Sequence, residues 1–168
     1  ISIYQVSEIL YSPERGQLLL FLISMNVDIS TIDGIDFSHS LIRSADITGA
    51  DLAGKNLSKA RFEAMLIENV SFRDALLIEA EFVDVNFRDM KIQTDTFIQS
   101  KLVDVIIENM SVDPAGHAWG SRLSENGAAA SCEVRGAVVW RNENTEEMLK
   151  ELQKCKLKSV ITYVKTEE

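Results

Sequence analysis

A hydrophobic residue recurs at every fifth position over about half of this chain. The seventeen positions are Ile32, Phe37, Ile42, Ile47, Leu52, Leu57, Phe62, Ile67, Phe72, Leu77, Phe82, Phe87, Ile92, Phe97, Leu102, Ile107 and Val112. Such a run has a chance probability of about two in a million at this composition. Helices repeat their apolar face every three to four residues and half-buried strands every second residue, so neither element explains the period. The pattern predicts a coiled chain that turns one corner in each unit of five.

A second series stands two residues before each of these central positions, and its members are mostly small or apolar. Residues two apart in an extended segment point to the same side, so each unit is expected to direct two side chains inward. Glycines such as Gly49 and Gly54 follow the centres and suit the corners. Lys55 and Asp95 depart from the inward series, and we expect a bulge or a rim position for them.

Several units resemble the motif Ala-(Asp/Asn)-Leu-X-X of the pentapeptide-repeat family, among them "ADITG", "ADLAG", "KNLSK" and "ARFEA". The resemblance covers residues 30–114. It implies a right-handed quadrilateral β-helix with four units in each coil, and seventeen units then correspond to about four coils. The expected fold is therefore an all-β solenoid over residues 30–114, preceded and followed by segments of other structure.

The flanking segments carry helix and strand signals. Residues 1–29 are expected to form an N-terminal helical cap, with Ser12 as N-cap, Pro13 at the first helical position and Asn26 as the stop. The apolar face of this helix is predicted to consist of Leu18, Phe21, Leu22 and Met25. Residues 115–168 are predicted to form a loop and a small α/β appendage on the end or side of the rod, with "CEVRGAVVW" as a strand, "NTEEMLKELQKC" as a helix and "LKSVITYV" as a second strand.

Charge and motifs disfavour several classes of function. The net charge of -9 disfavours nucleic acid as a partner, and no apolar run reaches the roughly 20 residues of a membrane span. No catalytic, cofactor or metal motif appears, so we expect no enzyme activity, cofactor or metal in this chain. His39 is expected to be a solvated corner residue of the repeat, and His117 is expected to be structural, with a partner contact as the alternative. Cys132 and Cys155 form no CxxC pattern and are interpreted as ordinary thiols.

Function is then expected to reside in surfaces. Residues twenty apart should stack, which predicts an outward apolar stripe that residues 115–168 fold back to cover, or that binds a partner if it stays open. That stripe comprises Leu76, Ile78, Val83, Ile98 and Val103. The more charged faces are the preferred partner contact, and their candidate residues are Arg43, Arg61, Glu63 and Glu81.

The chain is therefore predicted to be a monomeric, non-catalytic protein-interaction module. The order of helix, coils, loop and strand also resembles the N-terminal β-helix region of secreted bacterial effectors, including HECT-like ubiquitin ligases. That resemblance implies recruitment of a host protein, with the catalytic part outside this chain and the location either bacterial cytoplasm or host cell. The alternative is a DNA mimic directed at a topoisomerase, since residues 30–114 hold 15 acidic and 8 basic side chains.

Overall fold

The computed structural model describes residues 11–97, 99–117 and 132–164. It is a parallel β-solenoid of about five turns with one helix near each end. The strands are β1 Leu41–Arg43, β2 Ile47–Thr48, β3 Arg61–Glu68, β4 Glu81–Thr94, β5 Lys101–Val103, β6 Ile106–His117, β7 Glu133–Arg135, β8 Val138–Arg141, β9 Lys156–Lys158 and β10 Ile161–Val164. The helices are α1 Pro13–Ser24 and α2 Thr145–Gln153, and a 3-10 turn spans Ile29–Thr31.

Residues twenty apart in sequence pair between successive coils, as four five-residue units in each coil require. Phe62 is in register with Phe82, and Phe82 is in register with Leu102. The backbone hydrogen bonds between coils have ordinary lengths, with 2.9 Å from the Glu81 amide to the Ala60 carbonyl and 2.8 Å from the Lys101 amide to the Ala80 carbonyl. The register shifts only between Gln93 and Thr94 within the described pairing of β4 with β6, close to the irregular Asp95.

The central residues of the units form the core. All of them from Phe37 to Ile107 are buried, and the two end members, Ile32 and Val112, are half-buried. The Phe62 and Phe82 rings stack 4.7 Å apart at 9°. Lys55 is buried and its ammonium donates a hydrogen bond to the carbonyl of Ile32. This inward lysine therefore gives a hydrogen-bond donor to a backbone carbonyl at the rim of the first coil.

The corners depend on a left-handed backbone conformation that returns every five residues. In most units, the residue two positions after the centre has φ near +55°, as at Asp74, Asp84, Asp89 and Asp104. Glycine, asparagine and aspartate tolerate this region better than other residues, which accounts for their frequency at this position. His39 is also such a corner, with φ of 60°, as predicted.

Helix α1 begins as predicted, because the Ser12 side chain accepts a hydrogen bond from the Arg15 amide and Pro13 occupies the first turn. The predicted apolar face is wrong: Phe21 and Met25 are each 60% exposed and Leu18 is also exposed, whereas Gly16 and Leu19 are buried. The reason is close packing on β1, since a Cβ at Gly16 would lie 1.9 Å from the Leu41 carbonyl oxygen.

The C-terminal segment continues the stack. Strand β7 pairs with β5 and β9, and β8 pairs with β6 and β10, all in parallel. The segment predicted as one strand is two strands around a corner at Gly136, whose φ is +68°. The expected fold-back over the side of the rod is not found for residues 132–164, because their backbone bonds extend the sheet at its end.

Substitution of Phe82 by aspartate is expected to unfold the solenoid. An unpaired carboxylate in this aromatic stack costs several kcal/mol, which is comparable with the stability of a typical domain. Circular dichroism during heating should show loss of the cooperative transition. Lys91→Asp, at an exposed position of the same strand, is the matched control and should melt like the unaltered protein. A Phe82→Asp variant that melts normally would contradict the five-residue register.

Candidate interaction surfaces

The described residues hold no group of three His, Cys, Asp or Glu side chains that could bind a metal ion. Within the same ranges, no helix is long and apolar enough to cross a membrane. His39 Nδ1 lies 3.3 Å from Ser38 Oγ at a half-buried corner. The side chains of His117 and Trp119 lie outside the described part. The remaining candidates are the outward faces of the solenoid.

The first face is formed by β1, β5, β7, β9 and the N-terminal parts of β3 and β4, and it carries the predicted charged residues. Arg61 bonds Glu63 at 2.9 Å and Glu81 at 2.6 Å, and Tyr11 donates to Glu81 at 3.1 Å. The hydrogen bond to Glu63 is the main cause of a raised pKa at Arg61, and burial beside Glu81 raises the pKa of Tyr11. Arg43 is exposed and in register with Glu63. The structure therefore brings the four predicted charged residues together.

The predicted apolar stripe is not one continuous exposed surface. Val83 and Val103 lie on the first face, in register with Glu63 and beside the charged residues. Val103 is buried, and Val83, Leu76 and Ile78 are half-buried. Ile98 lies outside the described residues.

A second face is formed by β2, β8, β10 and the adjoining parts of β3, β4 and β6. On β3, β4 and β6 this face carries a column of ion pairs. The Arg88 guanidinium lies 2.8 Å from the Glu108 carboxylate and 3.9 Å from the Glu68 carboxylate. The bond to Glu108 raises the pKa of Arg88. The charges on this part of the face are thus paired between coils.

On β6, β8 and β10, toward the C-terminal end, the second face carries a patch called here the aromatic patch. It comprises Ile106, Val138, Trp140, Ile161 and Tyr163. Trp140 and Tyr163 are paired in register, and their rings lie 5.7 Å apart. Four of the five are exposed, with Ile161 at 49% and Tyr163 at 47%. A groove of about 500 Å³ runs beside the patch, and Arg88, Glu108 and Arg141 contribute to its lining. The arrangement offers apolar contact with a charged border.

The sequence interpretation missed this patch because it ended the five-residue period at Val112. The period resumes in "CEVRGAVVW" and again in "CKLKSVITYV", where Val134 and Val139 are five apart, as are Leu157 and Thr162. A residue directly after a centre points outward on the same face. Applying that rule to the resumed units would have placed Trp140 and Tyr163 on the surface.

The two cysteines form a disulfide, so their interpretation as ordinary thiols is wrong. Cys132 and Cys155 each stand two residues before a centre, and the Lys156 amide donates to the Cys132 carbonyl at 2.9 Å. Stacking of the last two coils places their Cα atoms 4.9 Å apart although they are 23 residues apart in sequence. The bond therefore fastens the terminal coil to the coil beneath it.

Helix α2 connects these two coils in sequence and packs against the solenoid. Met148 and Leu152 are buried, and Lys154 bonds Asp95 at 2.6 Å and Glu151 at 2.7 Å. Burial lowers the pKa of Lys154, but the two carboxylate bonds outweigh it and the pKa is raised overall. The irregular Asp95 thus has an anchoring role for α2.

Loss of the disulfide is expected to loosen the terminal coil. For the Cys132→Ser and Cys155→Ser double variant, the chain-entropy relation for a loop of this size gives a loss of about 3 kcal/mol. Urea unfolding should show the loss, and hydrogen exchange should place it in residues 145–164. The unaltered protein under reducing conditions is the control and should match the variant. Equal stability of oxidised protein and double variant would show that the bond adds nothing.

Residues 56–89 match the family described as Pentapeptide repeats (8 copies). No curated protein and no solved structure matches the chain. The matched residues span much of β3 and β4, where five-residue units stack twenty residues apart. The family match over residues 56–89 and this register together show pentapeptide repeats within a β-solenoid.

Proposed function

We propose that this chain is a non-catalytic protein-interaction module whose principal contact is the aromatic patch. Pentapeptide-repeat proteins are generally repeat-based interaction modules. The observation that carries the choice of surface is the exposed pair of Trp140 and Tyr163. Tryptophan and tyrosine are enriched among the residues that dominate binding energy, and both lie here on adjacent paired strands.

The surroundings of the patch support a protein partner. Ile106 and Ile161 add exposed apolar area, while Glu108 and Arg141 stand at the border beside the groove. An apolar centre with a polar rim is the usual composition of protein interfaces.

That the charged residues of the first face form a secondary contact with a partner protein stays a prediction. Arg61 already holds two carboxylates, so a partner would have to displace bonds of 2.9 and 2.6 Å to use it. Arg43 is exposed and has no ion-pair partner among the described residues. Exposed ion pairs add only about 0 to 1 kcal/mol, and we therefore rank this cluster below the aromatic patch.

A finer proposal is that the module recruits a host protein for a secreted bacterial effector. It rests on the order of helix, coils, loop and strand, and a HECT-like ubiquitin ligase is the specific form that the resemblance suggests. Cys132 and Cys155 are bonded to each other and take no catalytic part in this proposal. The reading frame of the parent gene tests it, since a ligase domain downstream is required.

The alternative is a topoisomerase inhibitor that imitates DNA, and we rank it second. Asp74, Asp84, Asp89 and Asp104 occupy left-handed corners, where aspartate serves the backbone conformation. Other acidic residues, such as Glu81 and Glu108, are paired with arginine. These local roles explain much of the acidity without a DNA-like surface.

Accordingly, micromolar protein is expected to leave the supercoiling activity of DNA gyrase unchanged. The comparison variant carries Asn at Asp74, Asp84, Asp89 and Asp104, which removes four charges and keeps a residue suited to the corners. Neither the unaltered protein nor the variant should inhibit gyrase in a gel-based supercoiling assay. Inhibition by the unaltered chain that the variant loses would reverse the ranking of the two functions.

The proposed contact is tested by a Trp140→Ala and Tyr163→Ala double variant. A partner is first identified by crosslinking from extracts, purified, and titrated against the variants. Loss of two aromatic anchors should weaken binding by about 2 kcal/mol or more, which is roughly thirtyfold. Phe21→Ala removes an exposed aromatic ring at the other end of the solenoid and should bind normally. If both variants bind like the unaltered protein, the aromatic patch is not the contact.

A further inference from the structure

The C-terminal end of the described solenoid presents an open sheet edge. Strands β9 and β10 stand at the two ends of the strand order, and each pairs with one strand. Leu157 occupies a central position, in register with the buried Val134, yet it is 41% exposed. The N-terminal end differs, because α1 packs against β1 there.

Every second backbone amide of β9 and β10 points away from the sheet. The amides of Lys156 and Ile161 donate to Cys132 and Ala137 of the coil beneath. Alternate residues of a paired strand direct their amides to opposite sides, so the amides of Leu157 and Thr162 face outward. In the preceding coil the Gly136 amide donates to Lys158 at 3.0 Å, which shows how a further strand would be bound.

The side chains of the edge specify a charge for that strand. A column on the first face runs Arg61, Glu81, Lys101, Glu133 and Lys156, with the sign alternating at every coil. Lys156 is the last member, and an acidic residue would continue the alternation. Lys158, exposed beside it, is 3.6 Å from Glu133 and offers a second positive charge.

Strand β10 carries no charged side chain. Its outward residues Ile161 and Tyr163 are the C-terminal members of the aromatic patch on the second face. An added segment would therefore meet lysines along β9 and apolar side chains along β10.

We propose that the edge of β9 and β10 binds an extended segment of a partner protein by parallel strand addition, and that this segment carries two acidic residues opposite Lys156 and Lys158. Strand addition is an established mode of peptide recognition in which backbone bonds give affinity and side chains give selectivity. The lysines also discourage pairing of β9 with a second β9, as charged edge residues do in other sheets. This site lies at the end of the rod and goes beyond the proposed contact through the aromatic patch.

The probe is a fluorescein-labelled peptide of sequence AEVEGAVVW, which copies residues 132–140 with alanine for Cys132 and glutamate for Arg135. Its two glutamates should lie opposite Lys156 and Lys158. The matched control is AKVKGAVVW. Fluorescence anisotropy should show that the acidic peptide binds about tenfold more tightly than the basic one, as two rim ion pairs allow.

Two variants of the full chain separate charge from backbone pairing. Lys156→Glu with Lys158→Glu should reverse the preference between the peptides. Thr162→Pro removes an outward amide without removing a bond to β8, so it should abolish binding of both peptides while leaving the melting temperature unchanged. Trp140→Ala should leave peptide selectivity unchanged, which distinguishes this edge from the aromatic patch.

Four results would overturn the proposal. They are absence of peptide binding, equal affinity for both peptides, binding that appears only after residues 165–168 are deleted, and a dimer in sedimentation that Thr162→Pro dissociates. The third result would assign the edge to this chain's own C-terminal residues, and the fourth to a second copy.

Discussion

The solenoid depends on one backbone constraint, a left-handed corner that returns every fifth residue. The corner lets the chain turn while the amides on either side bond to the neighbouring coils. Because four units close a coil, each centre of the regular coils stands above a residue twenty positions earlier, and the core becomes a set of vertical columns. Stacked phenylalanines such as Phe62 and Phe82 fill these columns, and burial of their rings stabilises the geometry that the corners permit.

The same constraint decides what the surface can do. Only the residues beside each centre and at the corners point outward, so each face is a set of narrow columns to which every coil contributes one residue. Corner positions favour aspartate and asparagine, which makes the rod acidic for conformational reasons. The columns can then differ along their length, as on the second face, where the Arg88 ion pairs give way to Trp140 and Tyr163 two and three coils later. Interaction specificity can reside in such a change of composition.

Much of this fold could be predicted from the sequence, and the failures have physical causes. The period of five predicted the core because it reports which side chains point inward. The face of α1 was not predictable, since "LLLFLI" is apolar on all sides and the choice depends on the close approach at Gly16. The cysteine pair was missed because α2 separates the last two coils by 23 residues instead of twenty. The exposed Trp140 was missed because the period was not followed past the intervening loop, where it resumes.

Residues 132–164 continue the solenoid to an outward-facing edge. Native-state hydrogen exchange followed by NMR tests this arrangement residue by residue. The amides of Lys156 and Ile161, which bond to the coil beneath, should be strongly protected, and those of Leu157 and Thr162 should exchange rapidly. Rapid exchange at all four would contradict stacking of the terminal coil. Strong protection at all four would contradict the open edge.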